Sequence, residues 1–158
     1  MTHAAPEAAT VERALAEFPA LVRPVAAPLS GGLINVSFAV TAADGEFVLQ
    51  RVHPVFAPEV HDNIAAVSEQ LRRRGQPSPR LLASRSGRWF ADLGTDGVWR
   101  VMTRLPGISF DTIQSPAQAR VAGARVGAFH AALADLEHTF RAVRQGVHDT
   151  PAHLRALA

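Results

Sequence analysis

The chain has 158 residues, enough for one domain with a hydrophobic core, and its 47% hydrophobic and 19% charged residues are typical of a globular protein. It contains no cysteine, which excludes disulfides, zinc-cysteine sites and thiol catalysis. The net charge is only +2 and the single basic run, 72–74, has no interleaved aromatic residues, so we expect no nucleic-acid partner.

The N-terminal segment does not resemble a secretory signal. It carries Glu7 and Glu12 and has neither a basic leader nor an uninterrupted apolar stretch. No apolar run approaches the ~20 residues that cross a bilayer. We therefore expect no membrane partner and a cytoplasmic location.

The first elements in chain order are a short helix and three strand-like segments. Val11, Leu15 and Phe18 have helical spacing. Strand-like segments follow over 21–28, 35–40 and 47–52. Asp44 and Gly45 lie between the last two segments, and an Asp-Gly pair in that position predicts a hairpin.

The middle of the chain predicts one helix and more strands. Residues 58–74 form a helical pattern that ends at Gly75, with Ile64, Val67 and Leu71 along one face. After a proline-containing connector, the segments 80–84, 88–93 and 98–105 are strand-like. This order predicts an α+β fold with an antiparallel sheet.

Beyond Gly107 the pattern is helical. Ser115, Pro116 and Gln118 form a capping-box pattern that begins a helix running to about residue 136. A last helix begins near Thr150. Four apolar residues of the long helix form a stripe that would bind a complementing fragment or cause self-association if left uncovered: Val126, Phe129, Leu133 and Leu136.

The stretch LSGGLINVSFAV, residues 29–40, places a Ser-Gly-Gly turn directly before a strand. Such a turn either simply redirects the chain or allows backbone N–H groups to approach a phosphate. The turn alone does not decide between these two roles.

Taken in order, these segments resemble the aminoglycoside phosphotransferase and choline kinase superfamily, which has a protein-kinase-like fold. LSGGLINVSFAV is similar to its glycine loop and second strand, FVLQRVHPVF to its third strand, VMTRLPG to its hinge and VGAFHAALADL to a later helix. Four segments together resemble the N-acetylhexosamine 1-kinase-like branch most closely: LQRVHPVF, Asn63-Ile64, Val98-Trp99-Arg100 and Val147-His148-Asp149-Thr150.

The resemblance implies two regions. A nucleotide-binding small lobe, with about five antiparallel strands, one helix and the N-terminal helix, would cover residues 1–105. The hinge and the first helices of an incomplete helical lobe would cover 106–158.

The resemblance also implies ATP and magnesium as cofactors and a set of nucleotide-binding residues. Ser30, Gly31, Gly32 and Asn35 would cover the phosphates. In the hinge, Met102 would lie behind the adenine, while the Thr103 carbonyl and the Leu105 N–H would meet its edge. Met102 and Leu105 could equally be core residues.

The third strand departs from the family pattern, which has a phosphate-binding lysine there. Gln50 occupies that position, and the sequence contains no lysine at all. Either Gln50 makes a neutral contact or a bulge lets Arg51 reach the phosphates, since neighbouring strand residues point to opposite faces. The glutamate that pairs with this cation in the family would be Glu69, with Glu59 as the alternative.

The catalytic loop of the superfamily, H-x-D-x-x-x-x-N, does not occur in these 158 residues. We therefore expect the magnesium ligands to lie outside this chain. A metal site at His148, Asp149 and His153 is disfavoured because no further ligand is apparent.

The sequence thus predicts the N-terminal portion of an ATP-dependent phosphotransferase, inactive alone, whose full-length form phosphorylates a hydroxyl of a small-molecule acceptor such as a sugar. The alternative is a non-catalytic module that binds a nucleotide or a partner protein.

Overall fold

The structure is a computed structural model and describes residues 6–30, 34–142, 146–147 and 149–157. The strands are β1 (Val25–Leu29), β2 (Val36–Ala42), β3 (Gly45–Val52), β4 (Ala91–Asp92) and β5 (Val98–Thr103). The α-helices are α1 (Ala8–Ala16), α2 (Val60–Arg73), α3 (Pro116–Leu133) and α4 (Thr150–Ala156).

The described strands form one antiparallel sheet of five strands in the order β1-β2-β3-β5-β4. The predicted α+β fold is confirmed, and so is the β2–β3 hairpin, whose register brings Ala42 opposite Gly45. Both ladders of β3 are continuous, from Val36 opposite Arg51 to Ala42 opposite Gly45 and from Phe47 opposite Thr103 to Val52 opposite Val98. β3 therefore has no bulge.

One face of the sheet, here called the core face, packs against α1. Phe38, Leu49, Trp99 and Val101 lie in one buried cluster with residues of α1 and with Phe18. The helix contributes Val11, Ala14 and Leu15, which helical spacing places on one side. Burial of this apolar surface holds α1 on the sheet.

Two predicted strands are much shorter than expected. Within 80–84 only Leu81 forms a bridge, to Met102, and within 88–93 only Ala91–Asp92 is a strand. Ser84 explains part of the difference, because its N–H and its hydroxyl both donate to the Arg88 carbonyl and close a turn. Leu81 and Ala91, the residues that pair with β5, are also the buried apolar residues of the two segments, whereas Trp89 is exposed.

Side chains of α2 are hydrogen-bonded to residues 132–141, at and after the end of α3. The Asn63 side chain donates to the Arg141 carbonyl at 2.7 Å and accepts from the Arg141 N–H at 3.0 Å. Gln70 donates to the Ala132 carbonyl at 3.2 Å and to Asp135 at 3.0 Å. These contacts tie both ends of α2 to the last turn of α3 and to the chain that follows it.

The Ser115 N-cap of α3 is present, since its hydroxyl accepts from the Gln118 N–H at 3.2 Å, but the Gln118 side chain accepts from the Gln114 N–H in place of the reciprocal bond of a full capping box. In the apolar stripe of this helix, Val126 and Phe129 are exposed, whereas Leu133 and Leu136 are half-buried. In the part of the chain that the structure describes, no helix has the length and apolar character needed to cross a membrane.

Candidate functional site

The face of the sheet opposite the core face is here called the open face, and it carries two cross-strand rows of side chains. Directly paired residues of an antiparallel sheet point to the same side, so the register defines each row. The apolar row consists of Ala27, Ala39, Val48 and Met102, and the polar row consists of Ser37, Gln50 and Arg100. None of these residues is fully buried, although α2 lies on the same side, where Met102 lines a cavity with residues of that helix.

The apolar row lies next to the hinge. Met102 immediately precedes Thr103, where β5 ends. Ala27 is exposed and Ala39, Val48 and Met102 are half-buried, which leaves a shallow apolar surface. Small or flexible apolar side chains in this arrangement can contact the face of a planar heterocycle. Met102 also lines a cavity of about 290 Å³ with Phe129, Leu71 and other residues of α2, so it separates this surface from the helices.

In the hinge, the backbone N–H groups of Thr103 and Arg104 are hydrogen-bonded to neighbouring segments, whereas that of Leu105 is not bonded to any described residue. The Thr103 N–H donates to the Arg80 carbonyl at 2.9 Å, and the Arg104 N–H donates to the Glu46 carbonyl at 3.0 Å. Among the described residues, no atom accepts a hydrogen bond from the Leu105 N–H. This donor can therefore meet an acceptor on a bound ligand, as the resemblance implies.

The predicted phosphate-covering residues lie only partly within the described chain. Ser30 is exposed and follows the last residue of β1, while Gly31 and Gly32 lie outside the described residues. The Asn35 side chain accepts a hydrogen bond from the His53 N–H at 2.9 Å. Asn35 thus joins the start of β2 to the end of β3.

Gln50 is hydrogen-bonded to side chains of both neighbouring strands. Its amide nitrogen donates to the Ser37 hydroxyl at 3.0 Å. Its carbonyl oxygen accepts from Arg100 Nε at 2.9 Å and from Arg100 Nη2 at 2.8 Å. Arg100 was not predicted as a site residue. The alternating patterns of β3 and β5 could have suggested the register that places it opposite Gln50.

Arg51 lies on the core side of the sheet edge, away from Gln50. It is paired across the sheet with Val36 and Trp99. A Cβ added to Gly97 would lie 3.1 Å from Arg51 Nε, so the guanidinium packs along that glycine, whose φ is +87°. Arg51 lines a cavity of about 340 Å³ at this end of the sheet.

Glu69 forms ion pairs with two arginines of its own helix, α2. Arg72 Nε donates to one carboxylate oxygen of Glu69 at 2.7 Å, and Arg73 Nε donates to the other at 3.0 Å. These hydrogen bonds, first from Arg72 and then from Arg73, lower the pKa of Glu69 to about 2. Glu59, the alternative, is exposed and immediately precedes α2.

His61 is a buried polar residue that the sequence did not single out. Its side chain is fully buried on α2, Nδ1–H donates to the Pro58 carbonyl at 2.7 Å, and Nε2 has no partner among the described residues. Burial lowers the pKa of His61, and the charge of Arg100 lowers it further, against the raising effects of the Pro58 hydrogen bond and of Asp62.

No group of three or more metal-binding side chains occurs in the described segments. In the disfavoured metal site, Asp149 caps α4 by accepting from the Ala152 N–H at 3.0 Å, and His153 contacts the Gly146 carbonyl at 3.0 Å. His148 lies outside the described residues.

Comparison with known proteins identifies the family. A solved structure from Ralstonia eutropha JMP134, provisionally named an aminoglycoside phosphotransferase, is 11% identical, with a TM-score of 0.42 over 65% of this chain. The match spans only 29% of that protein's chain. No curated protein matches the sequence. The sequence model of the phosphotransferase enzyme family matches residues 25–157. The chain therefore belongs to the phosphotransferase enzyme family.

Proposed function

We propose that this chain is the nucleotide-binding lobe of an ATP-dependent phosphotransferase whose acceptor is a hydroxyl group of a small molecule. The observation that carries the proposal is the order of features across the open face. The hinge comes first, then the apolar row, then the polar row, and last Ser30, which directly follows β1. A nucleotide presents its base, ribose and phosphates in the same order.

Each part of this surface matches the corresponding part of ATP. The apolar row offers contact area for the adenine ring, and the Leu105 N–H offers a donor for its edge. The polar row offers the Arg100 guanidinium, which is suited to phosphate oxygens. Magnesium would bridge the phosphates, and its protein ligands would come from outside the residues described here.

The acceptor is proposed from the sequence resemblance alone. The N-acetylhexosamine 1-kinase-like branch has sugar acceptors, so an amino-sugar hydroxyl is the first candidate to test. We expect no turnover by the 158-residue chain alone, because it lacks the H-x-D-x-x-x-x-N motif.

The proposal is tested by the thermal melt of the purified chain with and without ATP and magnesium. At a ligand concentration of ten times Kd, binding to the folded state adds about 1.4 kcal/mol of stability. For a chain of this size that corresponds to an increase in Tm of roughly 3–6 °C. A cooperative melt that does not move with millimolar ATP would contradict the proposal.

A blocking variant locates the binding surface. Ala27→Phe places a large ring on the exposed end of the apolar row and should abolish the ATP-dependent increase in Tm. The matched control is Ala9→Phe, because Ala9 is exposed on α1, across the sheet from the apolar row. The control should keep the full increase.

A further inference from the structure

The open face carries its cation on β5 instead of β3. Gln50 occupies the β3 position where the family pattern has lysine, and the continuous ladders of β3 give Arg51 no route to that face. Arg100 is directly opposite Gln50 and belongs to the same row. The guanidinium is therefore next to the position that the lysine would occupy.

Gln50 holds the guanidinium in place. Arg100 donates to the Gln50 carbonyl oxygen through Nε and Nη2, and the amide nitrogen of Gln50 is in turn fixed by Ser37. A guanidinium has five N–H groups in a rigid planar fork. The Nη1 group of Arg100 has no hydrogen-bond partner among the described residues, so it remains available to an incoming acceptor.

The charge of Arg100 is not neutralised within the described structure. Six arginine–carboxylate pairs are formed elsewhere on the surface, but no carboxylate lies within ion-pair distance of Arg100 in the described ranges. Arg100 is half-buried, and burial lowers the pKa of its guanidinium. A partly desolvated cation without a counter-ion is unfavourable, so an anion at this position would relieve that cost.

We propose that Arg100 replaces the β3 lysine of the family pattern: oriented by Gln50, it binds the phosphate groups of the nucleotide. This inference rests on the proposed function. The Gln50 contact then positions the cation, and β1 ends beside the same row, with Leu29 opposite Ser37.

The test compares a ligand with phosphates and a ligand without them. Kd for ATP and for adenosine is measured by titration calorimetry on the 158-residue chain, on Arg100→Met and on Arg13→Met. Arg13 is on α1 and is 60% exposed, so its variant makes the same change in net charge at a site remote from the open face. All variants must melt cooperatively.

Arg100→Met should weaken ATP binding by about 10- to 100-fold, as expected for the loss of charge-assisted hydrogen bonds, and should leave adenosine binding within about twofold. Arg13→Met should change neither. If Arg100→Met does not fold, Arg100→Lys keeps the charge without the fork and should show an intermediate loss for ATP only.

Several outcomes would overturn the inference. Unchanged ATP affinity in Arg100→Met, or an equal loss for ATP and adenosine, would show that Arg100 supports the sheet without contacting phosphate. A loss in Arg51→Met with none in Arg100→Met would assign the phosphates to the other face. If the unmodified chain binds neither ligand, the proposed function itself fails, and the inference fails with it.

Discussion

Restoring the family's lysine at position 50 should destabilise this protein, although the change appears conservative for the family. In the structure, Gln50 accepts two hydrogen bonds from Arg100 at 2.8 and 2.9 Å and donates one to Ser37 at 3.0 Å. Gln50→Lys removes the acceptor and introduces a second cation next to the first. The two charges would then share a half-buried row without a carboxylate among the described residues.

The expected loss in the free energy of unfolding of Gln50→Lys has two contributions. Removing the Gln50 amide leaves the Arg100 donors and the Ser37 hydroxyl without their partner, which costs about 1–3 kcal/mol. Two like charges about 4 Å apart repel by about 4 kcal/mol at an effective dielectric constant of 20. Because a lysine side chain can swing away, we expect the charge to cost about 2–4 kcal/mol. That contribution alone corresponds to a decrease in Tm of roughly 5–15 °C.

The assay is a double-mutant cycle on the free energy of unfolding, measured by urea titration. Gln50→Met is the matched control, because it loses the same hydrogen bonds without adding charge. The free-energy difference between Gln50→Lys and Gln50→Met isolates the repulsion. In the Arg100→Met background, the same difference between lysine and methionine at position 50 should be close to zero.

Equal stability of Gln50→Lys and Gln50→Met would refute this reasoning, and so would a lysine penalty that persists in the Arg100→Met background. The first result would mean that the two cations do not interact in the folded state. The second would mean that lysine is disfavoured at position 50 for a reason unrelated to Arg100.

Three further predictions concern other parts of the chain. The depressed pKa of buried His61 means that the unfolded state binds more protons, so urea midpoints should fall as pH decreases below about 6.5, and His61→Phe should weaken this dependence. Asn63→Ala should cost about 1–3 kcal/mol and increase proteolysis near Arg141, because three hydrogen bonds to the 138–141 segment are lost. Val126→Glu should leave Tm nearly unchanged, since Val126 is 56% exposed, and should reduce any concentration-dependent association seen by light scattering.

Local patterns were sufficient to predict much of the fold. The Asp-Gly pair predicts the β2–β3 hairpin, and the hairpin is present because the flanking segments alternate in the same register. The helical spacing of Val11 and Leu15 predicts α1, and both residues are buried against the core face. Such signals depend on residues close together in sequence, so a single chain is enough to read them.

The short β4 and the missing strand at 80–84 could not be predicted in this way. Their apolar residues fit a strand pattern, but the Ser84–Arg88 turn and the bridge of Leu81 to Met102 use the backbone groups differently. Whether side-chain hydrogen bonds or strand pairing prevail depends on the tertiary environment. Hydrophobic periodicity in the sequence carries no information about that environment.

In the candidate site, too, some features follow from local motifs and others depend on tertiary contacts. The hinge and glycine segment follow from motifs, whereas the role of Arg100 depends on a pairing between residues fifty positions apart. From sequence alone, the choice was between a neutral Gln50 and a displaced Arg51. The continuous ladder decides on which face Arg51 lies, and the pairing of Gln50 with Arg100 is the basis for the third arrangement proposed above, with the cation on β5.

If the phosphate-binding cation is on β5, α2 does not have to supply a carboxylate to orient it. A lysine on β3 is commonly held by a glutamate from the helix, and a free ammonium needs such a partner to keep its orientation. Arg100 is instead oriented by the neutral carbonyl oxygen of Gln50, so a helix carboxylate is not required for that purpose. Glu69 can then pair with Arg72 and Arg73 on its own helix without leaving the site incomplete. On this basis Glu69→Gln should leave the difference between ATP and adenosine affinity unchanged, whereas Gln50→Met should reduce it by misplacing the guanidinium.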